Sequence, residues 1–255
     1  MQLTGAVAVV TGGGGGIGAA LVRRFALEGA SGIVVGDIDP AAAAALAKDL
    51  GPTVLAVEAD AAIEVDTVRL LEIAEEQFGQ VDLFCANAGM FTAGGAELED
   101  EAWDRIWRVN VMSHVHAARH YVPRVVEQGH GYLLHTASAA GLLSNLGAAP
   151  YAVTKHAVVA LAEWLSMTFG DHGLTVSCLC PMGVRTAMLD FDTRDYVRST
   201  AIEPAEVAEA VIDGLAAERF LILPHPEVAG YAHHRATDPD GWLKAMRRLQ
   251  GDIFG

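Results

Sequence analysis

Two patterns of hydrophobic and polar positions alternate along the chain. The first is a short, nearly continuous apolar run, which is typical of a strand covered on both faces of its sheet. The second is a longer stretch with apolar residues at helical spacing. Predicted strands occupy residues 6–11, 33–37, 54–58, 81–86, 132–137, 175–180 and 220–223. Predicted helices occupy residues near 17–29, 40–50, 64–78, 101–128, 151–170 and 204–217.

The regular alternation of strand and helix predicts an α/β fold. It favours a doubly wound, mostly parallel sheet of about seven strands with helices on both faces. Two helix starts are marked locally, since Asp39 precedes Pro40 and Glu203 precedes Pro204. Each pair is an acidic N-cap followed by proline at the first helical position. No repeat or linker divides the sequence, so residues 1–255 are predicted to form a single domain.

Composition and charge exclude several classes of protein. The chain is 52% hydrophobic and 19% charged, which argues against disorder. A formal net charge of -15 argues against a nucleic-acid partner, because phosphate recognition needs a basic surface. No apolar run reaches the ~18 residues of a membrane span, and the N-terminus shows no leader pattern. We therefore expect a cytoplasmic protein without a membrane partner.

Cysteine usage supports the same expectation. Cys85, Cys178 and Cys180 are an odd number, too few for a disulfide framework in a chain of this length. All three lie in apolar, strand-like runs. We predict reduced, buried thiols.

A glycine-rich turn carries the first candidate chemistry. The sequence Thr-Gly-Gly-Gly-Gly-Gly-Ile-Gly follows the first predicted strand and opens the first predicted helix. In that context glycines let the backbone approach a diphosphate, and the helix N-terminus offers free N–H groups. The run fits three dinucleotide-binding spacings, and the residues alone leave all three open. They are Gly12-Gly16-Gly18, Gly12-Gly15-Gly18 and Gly13-Gly15-Gly18.

Asp37 ends the second predicted strand, 19 positions after Gly18. A carboxylate there can accept hydrogen bonds from the adenosine ribose hydroxyls and would repel a 2′-phosphate. No Arg or Lys lies between Gly12 and Gly18 or directly after Asp37. NAD is therefore favoured over NADP, which stays the alternative cofactor.

Tyr151 and Lys155 are the third candidate feature. They stand four residues apart at the start of a predicted helix, so both side chains lie on one face. A nearby cation favours the phenolate and lowers the pKa of a tyrosine towards working pH. The chain contains only 3 lysines, at positions 48, 155 and 244, so chance pairing at this spacing is improbable. Ser138 lies 13 residues before Tyr151, where it could hold a substrate oxygen beside the phenol.

In the order and spacing of these features the chain resembles the short-chain dehydrogenase/reductase family, in the branch with chains of about this length. The resemblance implies a Rossmann-type fold and hydride transfer at a CH–OH group. It also favours the Gly12-Gly16-Gly18 spacing. It rests on residues 11–18, Asp37, Asp60, Asn87-Ala88-Gly89, Asn110, Ser138, Tyr151, Lys155 and residues 181–186.

The resemblance implies a role for each matched residue. Tyr151 would be the general acid/base, and Lys155 would bind the nicotinamide ribose and lower the pKa of Tyr151. Ser138 would orient the substrate oxygen, and Asn110 would support a water-linked proton relay to Lys155. The implied cofactor-binding residues are Gly12, Gly16, Ile17, Gly18, Asp37, Asp60, Ala61, Asn87, Gly89, Tyr151, Lys155, Pro181, Val184 and Thr186.

Two positions depart from the family pattern. Met182 follows Pro181 where the family usually has glycine, and we expect it to narrow the pocket near the nicotinamide. Ala86 replaces the first asparagine of the family's Asn-Asn-Ala-Gly sequence. Neither change removes a catalytic group.

The 10 histidines raise the question of a metal site. His114, His116 and His120 lie on one predicted helix, and His233 and His234 are placed in a late loop. No recognised zinc-ligand spacing is present. We predict no metal and interpret these side chains as solvated or interface histidines.

The segment after Pro181, about residues 183–202, is the predicted substrate loop. Its apolar residues suggest an apolar or aromatic secondary alcohol or ketone, while its arginines leave an anionic group open. The predicted lid is Met188, Leu189 and Phe191, the predicted floor is Met90, Leu142 and Leu143, and the arginines are Arg185, Arg194 and Arg198.

Two surfaces suggest assembly. A tail at about 240–255 has amphipathic spacing, with Trp242, Leu243, Met246 and Leu249, and is expected to dock on the body or on a neighbouring subunit. The helices at 101–128 and 151–170 are apolar around much of their girth. The resemblance implies that they form a four-helix dimer interface in a homotetramer.

The leading hypothesis is an NAD-dependent alcohol dehydrogenase or ketone reductase. One alternative is an NADP(H)-dependent carbonyl reductase. Another is a non-catalytic dinucleotide-binding scaffold, which the complete set of Asn110, Ser138, Tyr151 and Lys155 argues against.

Overall fold

A computed structural model describes residues 1–191 and 195–254. Its centre is a seven-stranded sheet in which every neighbouring pair of strands is parallel. The strand order is β3-β2-β1-β4-β5-β6-β7, which confirms the predicted doubly wound fold. The strands are β1 Val7–Thr11, β2 Gly32–Asp37, β3 Val54–Glu58, β4 Leu83–Ala86, β5 Gly131–Thr136, β6 Leu174–Leu179 and β7 Leu221–Ile222.

Helices connect the strands and cover both faces of the sheet. Two of them begin as the sequence predicts. The Asp39 carboxylate caps α2 by accepting the N–H groups of Ala41 and Ala42, and Glu203 forms a capping box with Glu206 at the start of α8. The helices are α1 Gly16–Leu27, α2 Pro40–Leu50, α3 Glu64–Phe78, α4 Asp100–Trp107, α5 Ser113–Gln128, α6 Ala149–Phe169, α7 Asp195–Ser199, α8 Pro204–Ala216, α9 Glu227–Thr237 and α10 Pro239–Phe254.

Alternate side chains of each strand enter two separate layers of core. Val9 and Val34 pack with residues of α3, α5 and α6 on one face. Val10 and Val35 pack with residues of α1, α2 and α8 on the other. Because both faces are covered, the strands contain almost no polar positions, which explains their continuous apolar runs. Cys85, Cys178 and Cys180 are buried and unpaired, as predicted.

The prediction of a single helix at residues 101–128 is wrong in one respect. It is interrupted by a π-helical turn, Arg108–Met112, that separates α4 from α5. The amide side chain of Asn110, inside this turn, bonds to the backbone N–H and carbonyl of Met90. The wider turn therefore accommodates a tertiary contact that the helical periodicity does not record.

The last part of the chain also differs from the prediction. His233 and His234 lie in α9, not in a loop. Leu243 does not belong to the inward-facing stripe of the following helix, since its side chain is 54% exposed.

The strand order places the ends of β1 and β4 side by side at the point where the chain changes direction across the sheet. Ligands of open parallel sheets bind in the crevice outside the carboxyl ends of strands at such a point. Among the described residues, no helix is both long and apolar enough to cross a bilayer.

Candidate active site

A cleft of about 1390 Å³ opens at the carboxyl ends of the strands. All but two of the predicted site residues line it. Gly18 packs beneath the glycine turn, and Asn110 is fully buried behind the wall. The lining residues among those predicted are Gly12, Gly16, Ile17, Asp37, Asp60, Ala61, Asn87, Gly89, Ser138, Tyr151, Lys155, Pro181, Val184 and Thr186.

The glycine turn needs glycine at three of its positions. Gly12 has a φ of 62°, and a Cβ there would lie 2.9 Å from the Cα of Ala88. Gly16 has a φ of 51°, and a Cβ there would lie 3.0 Å from a methyl group of Thr186. A Cβ on Gly18 would collide with the carbonyl oxygen of Gly12. Gly15 has open space and extended backbone, whereas a Cβ on Gly13 or Gly14 would press on the side chain of Val35 or Asp37. Positions 12, 16 and 18 differ from these because they combine close contacts with a positive φ or with a backbone collision.

The N-terminus of α1 faces the cleft without a side-chain cap. Its N-cap residue is Gly15, which has no side chain to offer, and Gly15, Gly16 and Ile17 all line the cleft. The first N–H groups of a helix need partners, and the helix dipole favours an anion there. The turn therefore fits the diphosphate of a dinucleotide, because a bound phosphate would supply those partners.

The Asp37 carboxylate is anchored beside the glycine turn in the cleft. One of its oxygens accepts the N–H of Gly14 at 2.7 Å, and the other accepts the N–H of Asp39 at 2.9 Å. Each oxygen keeps a second lone pair for a further donor. Asp60 lies nearby, where its Oδ1 accepts the N–H of Ala62.

Asn87 holds the backbone of the cleft together. Its Nδ2 donates to the carbonyls of Thr11 and Gly12, and its Oδ1 accepts the hydroxyl of Thr136 at 3.1 Å. Its own N–H and that of Ala88 donate to the Thr11 hydroxyl. The amide thus joins the ends of β1, β4 and β5, so it acts on the site by positioning these strands.

Tyr151 and Lys155 lie in the first two turns of α6 and share one face. The Lys155 Nζ is 5.7 Å from the centre of the Tyr151 ring. That ammonium is buried and donates to the carbonyl of Thr136 at 2.9 Å. Burial lowers the pKa of Lys155 from 10.5 to about 8, because removal from water disfavours the charged form. At neutral pH the cation still predominates beside the phenol.

The buried side-chain amide of Asn110 links the residues next to Lys155. Its Oδ1 accepts the Met90 N–H at 2.8 Å, and its Nδ2 donates to the Met90 carbonyl and the Thr154 hydroxyl. A Cβ built on Gly89 would lie 3.4 Å from the Lys155 Nζ and 3.5 Å from the Asn110 Oδ1. Position 89 therefore lies in van der Waals range of both groups.

Ser138 is fixed by the loop that follows β6. Its hydroxyl donates to the carbonyl of Pro181 at 3.3 Å and accepts the N–H of Ala140 at 3.1 Å. The next N–H along, that of Met182, donates to the Nδ1 of the buried His225 at 3.1 Å. Sequence reasoning missed His225, because no motif links a histidine after β7 to this loop.

The substrate end of the cleft is apolar. The predicted residues Met90, Leu143, Met188 and Leu189 line it, but Leu142 instead packs against the core. The side chain of Phe191 and all of Arg194 lie outside the described residues. Sequence reasoning missed Phe91 and Tyr231, and it expected Trp242, Met246 and Leu249 to dock on the body or on a neighbouring subunit without assigning them to the cleft that they line.

The prediction for one arginine of the substrate loop is now more specific. The Arg185 guanidinium pairs with the Glu203 carboxylate at 3.0 Å, so this arginine is engaged outside the cleft. The Phe91 ring, which no sequence signal marked, lies 5.2 Å from the Tyr151 ring and supports its orientation.

The histidines of α5 are not all solvated. His114 is fully buried against His135 of β5, which corrects the interpretation of this residue. His120 bonds to the Glu64 carboxylate at 2.8 Å. Across residues 1–191 and 195–254, no group of three or more His, Cys, Asp and Glu is arranged to hold a metal ion.

Comparison with known proteins agrees with this geometry. The family model for short chain dehydrogenases matches residues 6–196. The 1-deoxy-11-beta-hydroxypentalenate dehydrogenase of Streptomyces exfoliatus is 37% identical over 236 residues, which cover 89% of this chain and 86% of that protein. The 3beta-hydroxysteroid dehydrogenase 2 of Eggerthella lenta is 34% identical over 190 residues, which cover 72% and 73%.

A solved structure extends the likeness to the fold. The crystal structure of a short-chain dehydrogenase/reductase from Burkholderia phymatum in complex with NAD superposes with a TM-score of 0.87 at 30% identity. The match covers 94% of this chain and 96% of that one. The chain therefore belongs to the short-chain dehydrogenase/reductase family of oxidoreductases.

Proposed function

We propose that this protein is an NAD(H)-dependent oxidoreductase that interconverts a secondary alcohol and a ketone of apolar or aromatic character. One observation carries the proposal. The buried Lys155 ammonium lies beside the Tyr151 ring in the same cleft as the glycine turn and the Asp37 carboxylate. The residues suited to proton transfer and those suited to binding a dinucleotide therefore line the same cleft.

The cleft residues divide the binding of the dinucleotide between them. The uncapped turn at Gly15 to Ile17 would hold the diphosphate, and Asp37 would accept the ribose hydroxyls. Lys155 would hold the second ribose, and Thr186 and Val184 would meet the carboxamide. When bound, the nicotinamide supplies or accepts the hydride.

Tyr151 supplies the proton. In the reducing direction its hydroxyl donates to the carbonyl oxygen of the substrate, and in the oxidising direction its phenolate accepts the proton of the alcohol. The Lys155 cation stabilises the phenolate and so lowers the free-energy cost of forming it. Its charge acts strongly because the ammonium is withdrawn from water.

Ser138 and Asn110 set the geometry of this transfer. The Ser138 hydroxyl is held near Pro181, and by turning its one proton from the Pro181 carbonyl to the substrate oxygen it would fix that oxygen beside the phenol. Asn110 anchors the π-helical turn and supports a water-linked proton path to Lys155.

The expectation of an apolar substrate rests on the lining of the cleft. Methionine, leucine and aromatic side chains surround the open end beside Tyr151. The similarity to two relatives, a hydroxypentalenate dehydrogenase and a hydroxysteroid dehydrogenase, supports oxidation at a CH–OH group.

Replacing Tyr151 with phenylalanine tests the proposal. The variant keeps the ring and its contact with Phe91 but loses the proton, so kcat should fall by about 10²–10⁴-fold. NADH affinity, measured by nucleotide fluorescence, should stay nearly unchanged. Tyr132→Phe, on β5 away from the cleft, is the matched control and should retain turnover. Undiminished turnover by Tyr151→Phe would contradict the proposal.

One observation favours NADP as a second candidate cofactor. Arg105 of α4 and Arg108 at the start of the π-helical turn line the cleft, although Glu101 and Asp104 of α4 offset their charge. Measured Kd values for NADH and NADPH discriminate the two cofactors. Tight cofactor binding without oxidation of any alcohol in a broad panel would instead support the scaffold alternative.

A further inference from the structure

The C-terminal helix α10 has an apolar stripe that the protein core does not bury. Trp242, Met246, Leu249 and Ile253 recur at helical spacing and are each half-buried. None of the described residues of α10 is fully buried. An amphipathic helix normally packs such a stripe against the core. The surroundings of the stripe on α10 therefore need an explanation.

The stripe faces the catalytic cleft. Trp242, Met246 and Leu249 line the same volume as Tyr151, and Tyr231 of α9 joins them. Leu243, on another side of α10, is exposed. The partial exposure of the stripe therefore arises because open space, and not packed protein, lies beneath it.

Two contacts tie this pair of helices to the catalytic segment. The Arg235 guanidinium of α9 donates to the Leu142 carbonyl at 2.8 Å. The Phe254 ring at the end of α10 lies against Gly147, where a Cβ would come within 2.8 Å of it. Leu142 and Gly147 lie between Ser138 and Tyr151 in the chain. The stripe is therefore held at a defined place relative to the proton-transfer pair.

The cleft is large enough for a second ligand beside the dinucleotide. Its volume of about 1390 Å³ exceeds the roughly 300–1,000 Å³ usual for a site with one small molecule. The side chains of Phe91, Leu143 and Met188 line the same cleft as the stripe. Apolar side chains from α10 and from these residues favour a bulky hydrocarbon ligand over a charged one.

We propose that Trp242, Met246 and Leu249 form the outer wall of the substrate site, and that the substrate is a bulky alicyclic alcohol or ketone enclosed between α10 and Tyr151. This inference rests on the proposed function and adds the substrate class. A second copy of the chain is a poorer occupant of the stripe, which points inward. The outward side of α10 instead carries the exposed charges of Lys244, Arg247 and Arg248.

The test compares a bicyclic ketone, trans-1-decalone, with its smaller relative cyclohexanone, both with NADH. In Met246→Gln and Leu249→Gln the KM for decalone should rise by about tenfold or more, since even one methylene in an apolar pocket is worth roughly 10–200-fold. The KM for cyclohexanone and both kcat values should change little, because that ring does not reach α10. Leu243→Gln is the matched control and should behave as the wild type.

A binding measurement separates this inference from the proposed reaction. Decalone should raise the thermal midpoint of the wild type in the presence of NADH and should raise it less in Met246→Gln, while circular dichroism without ligand shows the same helix content. Turnover with an unaltered KM for decalone in the variants would refute the proposal that α10 forms the outer wall of the substrate site. A wild type that decalone does not stabilise would refute it as well. Decalone binding that depends on Met246 without reduction of any ketone would refute the reaction alone.

Discussion

At the scale of single residues, Asp37 shows how the backbone prepares a recognition group. The N–H groups of Gly14 and Asp39 hold its carboxylate from two sides, so its position is set before a ribose arrives. A fixed negative charge at this place accepts hydroxyl groups and repels a phosphate ester.

We expect Asp37→Asn to shift cofactor preference towards NADP. The substitution keeps an acceptor for one backbone N–H but removes the charge that opposes the 2′-phosphate. The ratio of kcat/KM for NADP to that for NAD should rise by about tenfold, equivalent to about 1.4 kcal/mol. Asp49→Asn makes the same charge change at an exposed residue of α2 that does not line the cleft, and should leave the ratio unaltered. A ratio that does not respond to Asp37→Asn would remove this residue from cofactor selection.

At the scale of elements, the α5–β5 contact contains an unusual pair. The Nδ1 atoms of His114 on α5 and His135 on β5 are 2.9 Å apart, so one imidazole donates and the other accepts. Both Nε2 atoms are buried without a hydrogen-bond partner. Burial lowers the pKa of His135 to about 3. Burial, with His135 and Lys155 close by, holds the pKa of His114 well below 6.5.

This pair should make the fold sensitive to mild acid. Below pH 6.5 the unfolded chain binds protons at these two positions and the folded chain does not, so their contribution to stability is complete above that pH and declines below it. Below pH 6.5 each histidine lowers the free energy of unfolding by about 1.4 kcal/mol per pH unit. The two histidines together should therefore lower it by about 3 kcal/mol between pH ~7.5 and ~5.5. Urea titrations at both pH values measure it.

The matching variant replaces both histidines with glutamine. His114→Gln combined with His135→Gln keeps a side-chain hydrogen bond but cannot titrate, so most of the loss should disappear. His172→Gln, an exposed position, should retain the full loss. An equal pH dependence in the double variant and the wild type would assign the sensitivity to other groups.

The elements of this fold differ in how far the sequence predicts them. Strand runs, the N-cap at Asp39 and the Tyr151–Lys155 spacing are local patterns, and the structure has the elements where those patterns placed them. The π-helical turn depends on Asn110 bonding to Met90, and the wall at Trp242 depends on where α10 comes to lie. Such contacts join residues that are distant in the chain, so periodicity and spacing contain no signal for them.

At the scale of the whole molecule, α6 leaves apolar side chains facing outwards. Trp164 is 53% exposed and Met167 is 78% exposed, although the other side of the helix packs into the core. Val153 on α6 and Val126 on α5 are also exposed apolar residues. Several exposed apolar side chains on two neighbouring helices are typical of a subunit interface.

We predict a homotetramer in which paired α5 and α6 helices form one of the two kinds of interface. Light scattering coupled to size exclusion should give the mass of four chains. Trp164→Glu combined with Met167→Glu would bury charge without a partner in that interface, so this variant should elute as a smaller species. Leu27→Glu makes a like change at a residue of α1 that is 79% exposed, and should leave the tetramer intact. A monomeric wild type would refute the assembly, and an intact tetramer in the double variant would move the interface to another face.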